Sequence, residues 1–130
     1  MQLKKEHEDF RGEIWTVTDS RIGEMTLLFT KAGYARGGCV HDQEERLYVL
    51  KGDVIIYISN QHWDEGIKGT AKDSTPDINH MHFNKNQPHG FKSDTDSIVL
   101  EIKPISTKTE RDPIMRKKVQ EINDGMEKSK

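Results

Sequence analysis

The chain has 130 residues, 32% of them hydrophobic and 32% charged, with 20 Lys and Arg against 22 Asp and Glu and a formal net charge of −2. A chain of this length builds one modest core, and the lack of a basic excess excludes an electrostatic footprint for nucleic acid. No apolar stretch is long enough to cross a bilayer, and the single cysteine, Cys39, excludes an internal disulfide.

The opening MQLKKEHEDFRGE has no apolar stretch after its lysines, so no secretory signal and a reducing, cytoplasmic setting are expected. The first nine residues are charged and are expected to be loose or loosely paired. Short runs rich in β-branched and aromatic residues follow: IWTV (14–17), EMTLLFT (24–30), RLYVL (46–50), DVIIYIS (53–59), HMHF (80–83) and SIVLEI (97–102). Turn residues separate them, at Asp19-Ser20, Gly37-Gly38, Lys51-Gly52-Asp53 and Asp94-Thr95-Asp96. Many short strands with regular turns read as an all-β sandwich or barrel. RLYVL-KGD-VIIYI reads as the clearest hairpin, with Gly52 in its connection. Residues 60–78, polar and rich in turn residues, read as a long loop.

From Asp112 the pattern changes to DPIMRKKVQEINDGMEK. Asp112 suits an N-cap and Pro113 the first helical turn. Ile114, Val119, Ile122 and Met126 fall near one face, and Gly125 offers an end. One amphipathic C-terminal helix over about 112–125 is expected, laid on the β core or on a partner chain. Arg116-Lys117-Lys118 reads as its solvated face. A single domain over 1–130 is expected, with a β core over about 10–105, and a domain this polar is expected to hide further apolar surface in a homodimer.

The chemistry-bearing residues gather in GYARGGCVHDQEERLYVLKG, from Gly33 to Gly52. In extended chain, residues two apart share a face, so Cys39 and His41 point the same way. A short turn through Asp42 and Gln43 brings Glu45 back beside His41, and Glu45, Leu47 and Val49 share one face of the next strand. Thiolate, imidazole and carboxylate all ligate divalent metals. His89, in QPHGFKS, is the natural fourth ligand: Pro88 fixes the local backbone and Gly90 leaves room beside it. Each residue also has a plainer reading: Cys39 as a small buried hydrophobe, Glu45 as a surface residue at a strand start, His89 as a turn residue. His80 and His82 share a face and read as solvent-facing or rim residues, while His7 and His62 read as incidental.

The spacing G-x5-C-x-H-x3-E-x6-G, from Gly33 through Cys39, His41 and Glu45 to Gly52, resembles the first cupin motif, and PHGF around His89 resembles the second. The likeness covers roughly 24–103. It implies an antiparallel β-barrel of the jelly-roll type, commonly dimeric, with Cys39, His41, Glu45 and His89 at the ligand positions for a divalent transition metal (iron, zinc, manganese, nickel or copper). Cys39 stands where the family has its first histidine, which implies a softer and more negative ligand set.

A weaker likeness joins Arg36-Gly37, Cys39 and His41 to the RG-x-H-x-H signature of sugar-nucleotide epimerases and ketoisomerases with the same barrel, and DFRGEIW to their opening. There the general base would fall on Cys39, leaving His41 as acid or base and Arg36 for an anionic handle. Three functions follow from the resemblances. One is a metal-dependent cupin enzyme acting on a small polar metabolite such as a sugar, by isomerisation, epimerisation, decarboxylation or dioxygenation, with His41, Glu45 and Arg36 in catalysis. The others are a metal-free sugar-nucleotide epimerase or ketoisomerase, and a non-catalytic ligand-binding barrel. The partner in each is a small molecule, with neither nucleic acid nor membrane.

Overall fold

β-Branched and aromatic residues at alternating positions give strands with one apolar face, and two such faces must meet to form a core. A computed structural model of the chain describes residues 2–19, 21–58, 66–71 and 79–130. Among them are β1 (Gln2–Asp9), β2 (Gly12–Asp19), β3 (Gly23–Thr30), β4 (Ala35–His41), β5 (Glu45–Lys51), β6 (Asp53–Ile58), β7 (Ile67–Thr70), β8 (His80–Phe83), β9 (His89–Ser93), β10 (Ser97–Lys103), β11 (Thr109–Arg111) and one helix, α1 (Pro113–Lys128). Every pairing is antiparallel. One sheet has six strands in the order β1-β2-β3-β10-β5-β8, and the other has five in the order β11-β4-β9-β6-β7. Leu28, Leu47, Val49, Phe83 and Val99 from the first sheet meet Val54, Ile56, Ile58 and Phe91 from the second to make the core.

The expected hairpin across Gly52 does not form. β5 pairs with β10 and β8 in one sheet, while β6 pairs with β9 and β7 in the other. Gly52, at φ 83°, is a corner between sheets. A Cβ there would collide with the Asp96 carbonyl oxygen, so the close approach requires glycine. The charged N-terminal stretch is an edge strand, β1, paired along its length with β2 while its side chains face solvent. Within the expected loop 60–78, Ile67–Thr70 pairs with β6 as β7; residues 60–65 and 72–78 lie outside the described residues.

The helix begins as read. The Asp112 side chain accepts a hydrogen bond from the Met115 amide at 2.8 Å, and Pro113 opens the first turn. Its buried face differs from the reading: Met115, Val119 and Asn123 face inward, whereas Ile114 is 69% exposed. The helix runs through Gly125 to Lys128, beyond the end expected at that glycine. It rests on β4 and β9. Asn123 Oδ1 accepts from the Ala35 amide at 2.7 Å and its Nδ2 donates to the Ala35 carbonyl at 3.1 Å, so a side chain stands in for a neighbouring strand.

The outward face of the six-stranded sheet is covered by no described element. Cross-strand rows Trp15–Leu27–Leu100–Tyr48 and Val17–Met25–Ile102 leave it apolar and half-buried.

Asn123→Ala leaves the buried Ala35 amide unpaired and its carbonyl with only the long Arg11 contact at 3.5 Å. Urea denaturation is expected to show a loss of about 1–3 kcal/mol. An unchanged midpoint would mean that the helix contributes nothing through this contact.

Candidate metal centre

Three side chains converge where the sheets meet. His41 ends β4 and His89 begins β9, both in the five-stranded sheet, while Glu45 begins β5 in the six-stranded one. Along β5 the alternation buries Glu45, Leu47 and Val49, so the carboxylate enters the core side of its strand as the last member of an apolar row. Glu45 is 1% exposed. His89 Nε2 lies 2.7 Å from Glu45 Oε1, and His41 Nε2 lies 3.0 Å from Glu45 Oε2.

The outer nitrogens of both rings are also held. His89 Nδ1 donates to the Gln87 carbonyl at 3.1 Å, which leaves Nε2 as the inward-facing nitrogen. His41 Nδ1 shares a 2.8 Å hydrogen bond with Thr109 Oγ1, supplied by the short strand β11. The Phe83 ring stacks on His89 at 3.8 Å between centroids and 7° between planes, which fixes the imidazole plane.

A bulge aligns this site with the rest of its cavity. In a regular strand Arg36 and His41, five residues apart, would face opposite sides. Between β4 and β9 the register shifts at Gly37–Gly38: Gly37 pairs with Gly90, and Cys39 with His89. Gly37 and Gly38 have φ 116° and 94°, a conformation that suits glycine. The extra residue reverses the alternation, so Arg36 and His41 both line one cavity of about 290 Å³. Cys39, His89, Glu101, Lys103, Thr109, Arg11 and Arg116 line it as well.

The electrostatics follow from burial. Burial pushes the Glu45 carboxyl up, but the facing His41 and His89 outweigh it and hold the group down at about 2. Burial alone would lower His89; Glu45 outweighs it, and the imidazole is raised above its ordinary value. Glu101, on β10, is pushed up to about 7 by burial and then by the Glu45 charge. Arg36 is lowered to about 10 by burial and by neighbouring Arg11, and so remains charged. Burial pushes the Cys39 thiol up.

Among the described residues, the side chains whose donor atoms all lie within 4.8 Å of one another are His41, Glu45 and His89. Ligands about 2.1 Å from one metal ion stand roughly 3–3.4 Å apart, so modest contraction would let these three share one. The fit is supported by Glu45 Oε2, which is buried and contacts His41 Nε2 at 3.0 Å without a well-aligned hydrogen bond. Cys39 lines the same cavity but lies outside this set. His80 and His82 are exposed: His80 stacks on Tyr48 at 4.8 Å and His82 lies 3.3 Å from Glu44. His7 pairs with Asp9 at 3.0 Å, and His62 lies outside the described residues.

Glu101, Thr109 and Arg116 were not singled out from sequence. Glu101 sits among Ile98, Leu100 and Ile102, whose alternation suggests an apolar core face and a polar outer one. In the fold, those three point outward and the row Ser97, Val99, Glu101, Lys103 points inward. A carboxylate inside an otherwise apolar run was the available signal.

No protein-family profile matches the chain, and no curated protein matches it. Solved structures do. CapF from Staphylococcus aureus, described as a capsular polysaccharide assembling protein, superposes with TM-score 0.64 and 19% identity over 85% of this chain and 34% of that one. Oxalate decarboxylase from Bacillus subtilis gives TM-score 0.60 and 18% identity over 83% of this chain and 29% of that one. KdgF from Halomonas sp. gives TM-score 0.56 and 13% identity over 86% and 92%. This chain thus spans about a third of the first two and nearly all of the third. These neighbours are cupins, and the fold of this chain is the cupin fold, two antiparallel sheets with one C-terminal helix and a candidate His-Glu-His metal site between them. Among the described residues, no helix is long and apolar enough to cross a membrane.

Glu101 provides a test of the site's electrostatics in metal-stripped protein. Its folded value near 7 exceeds its unfolded value near 4.5, so the folded state holds the proton more tightly. The stability it contributes is present below pH 4.5 and lost as pH rises to about 7. Thermal melts of the wild type should fall over that window, and Glu101→Gln should remove this component and melt higher at pH 7. Parallel curves for the two proteins would contradict a proton-holding Glu101.

Proposed function

We propose that the chain is a metal-dependent cupin enzyme acting on a small polar metabolite, with a divalent transition metal held by His41, Glu45 and His89. The observation that carries this reading is the convergence of three buried ligand atoms, one each from His41, Glu45 and His89, within 4.8 Å of one another. A bound metal would supply Lewis-acid polarisation of a substrate oxygen. The chain's own groups would do the rest. Thr109 and the Gln87 carbonyl orient the two imidazoles, and Phe83 fixes one ring. Glu101, facing the same cavity, is positioned to exchange a proton with a bound substrate. That proton-transfer capacity favours isomerisation, epimerisation or decarboxylation over mere ligand storage. A sugar derivative as substrate draws support from the description of CapF, and a small acid from the name of oxalate decarboxylase.

Metal content of untagged protein, measured by mass spectrometry, tests the centre. Near-stoichiometric iron, zinc, manganese, nickel or copper is expected in the wild type and in Cys39→Ser, since Cys39 lies outside the donor set. His41→Ala and His89→Ala should lose it. Wild type that takes up no metal even after reconstitution under reducing conditions would end this reading.

We also infer that two copies pair through the outward face of the six-stranded sheet, supported by its apolar rows and by the lack of any described element over it. Sedimentation should give a dimer for the wild type and a monomer for Leu27→Asp. A monomeric wild type at micromolar concentration would refute the pairing.

A further inference from the structure

The outward face of the six-stranded sheet is ordered in rows that cross β2, β3, β10 and β5 in turn. One row is Glu13–Phe29–Ile98–Lys51, the next is Trp15–Leu27–Leu100–Tyr48, and the third is Val17–Met25–Ile102–Arg46. Residues directly opposite one another share a face, so each row stands on one side of the sheet. Lys51 reaches that side through a register shift in β5: Val49 pairs with Val99, and Lys51 with Ile98. Glu13, Phe29, Ile98 and Lys51 accordingly border one depression. Trp15 Nε1 donates to Glu13 at 3.2 Å, along the same side of β2.

These rows are nearly palindromic in shape and antipalindromic in charge. The middle one reads aromatic, leucine, leucine, aromatic. The first reads acid, apolar, apolar, base. Glu13 and Glu8 share a single lysine, Lys5, at 3.6 and 3.2 Å. At the opposite edge Arg46 and Lys51 are exposed, without an ion-pair partner among the described residues.

An isologous interface uses one patch twice, so the patch must complement itself under its two-fold. For two faces laid together that axis lies in the interface. Running along the strands between β3 and β10, it lays each row on its own reverse. Glu13 then meets Lys51 of the partner subunit, Trp15 meets the partner's Tyr48, and Leu27 meets the partner's Leu100. Running across the strands through the middle row, it lays the first row on the third. Glu13 would then be desolvated against the partner's Val17, and Lys51 would approach the partner's Arg46. The second arrangement strands an acid and opposes like charges, and the first does neither.

We propose that two copies associate about a two-fold running along the strands between β3 and β10, with Glu13 of each copy paired to Lys51 of the other. This rests on the face-to-face pairing inferred above and gives it a geometry. Such an axis preserves strand direction, so the two His41-Glu45-His89 clusters lie at the same end of the dimer. Glu45 begins β5 and Lys51 ends it, which puts the charged contacts at the end of the sheet away from the clusters.

Sedimentation equilibrium of the full chain measures the dimer dissociation constant. Glu13→Lys and Lys51→Glu should each weaken association about tenfold or more, because each change acts at two symmetric contacts. The double variant, which exchanges the charges, should recover most of that loss. Single-cysteine proteins in a Cys39→Ser background give an independent measure. With a short bis-maleimide, a mixture of Glu13→Cys and Lys51→Cys chains should cross-link, and neither protein alone should. A monomeric wild type, or a dimer that survives Leu27→Asp, would end the face-to-face pairing and this geometry with it. Where Leu27→Asp abolishes the wild-type dimer, the pairing stands and three results would overturn the geometry alone. They are an unchanged constant in both charge reversals, a double variant no tighter than the single ones, and self-cross-linking of either cysteine protein as strong as that of the mixture. Should the charge variants fail to fold, the cross-linking decides by itself.

Discussion

A carboxylate buried between two sheets is the constraint around which this molecule is organised. Glu45 lies at the end of an apolar row, Glu45-Leu47-Val49, where desolvation penalises its charge. Two imidazoles from the opposite sheet make the charge tolerable, and the 2.7 Å contact with His89 is therefore also a tie between the sheets. Such a tie is asymmetric. Removing one partner of a buried pair typically costs about 3–5 kcal/mol, because a charge is left behind, whereas an apolar replacement of the whole group is often neutral. A fold seeking stability alone would have continued the leucine and valine row. Placing a carboxylate there is reasonable where the site must hold something that an apolar core cannot.

The second organising device is one of parity. Strands alternate faces with period two, so each functional residue is committed to the cavity or to the outside by its distance from its neighbours. Glu45 and Glu101 obey simple alternation from Leu47 and Val99. Arg36 and His41 do not, and only the glycine bulge brings them together. A side chain at Gly37 would strike the Gly90 backbone, so the bulge also sets how closely β4 approaches β9. That approach carries Cys39 opposite His89 and keeps both at the same end of the cavity. The glycines therefore serve chemistry through register, as well as serving the turn.

Much of this was legible in the chain itself, and the misreadings have identifiable causes. The spacing from His41 to Glu45 survives because a four-residue turn is a local event, and Asp112-Pro113 survives as a helix start for the same reason. The hairpin at Gly52 failed because a short glycine connection between two apolar strands looks the same whether the strands pair or part. Only the non-local pairing of β5 with β10 and of β6 with β9 distinguishes them. The helix face was misjudged for a related reason. Ile114 outranks Asn123 in hydrophobicity, but the groove that Asn123 faces presents the Ala35 amide and carbonyl, and a side-chain amide satisfies both where an alkyl chain cannot. Glu101 was hidden because the more apolar row of its strand, Ile98, Leu100 and Ile102, is the one on the uncovered outside of the sheet, while the row that holds Glu101 faces inward.

These observations bear jointly on the cavity's charge. Glu45 is paired with the two imidazoles, while Glu101 is raised by desolvation first and then by the Glu45 charge. If a cation occupied the cluster, Glu101 would ionise more readily and the internal balance would shift toward the acids. Glu101, on β10 of the six-stranded sheet, lines the same cavity as Arg36, His41 and His89. That carboxyl feels the Glu45 charge directly, so a cation at the cluster would relieve part of what raises it and favour its ionised form.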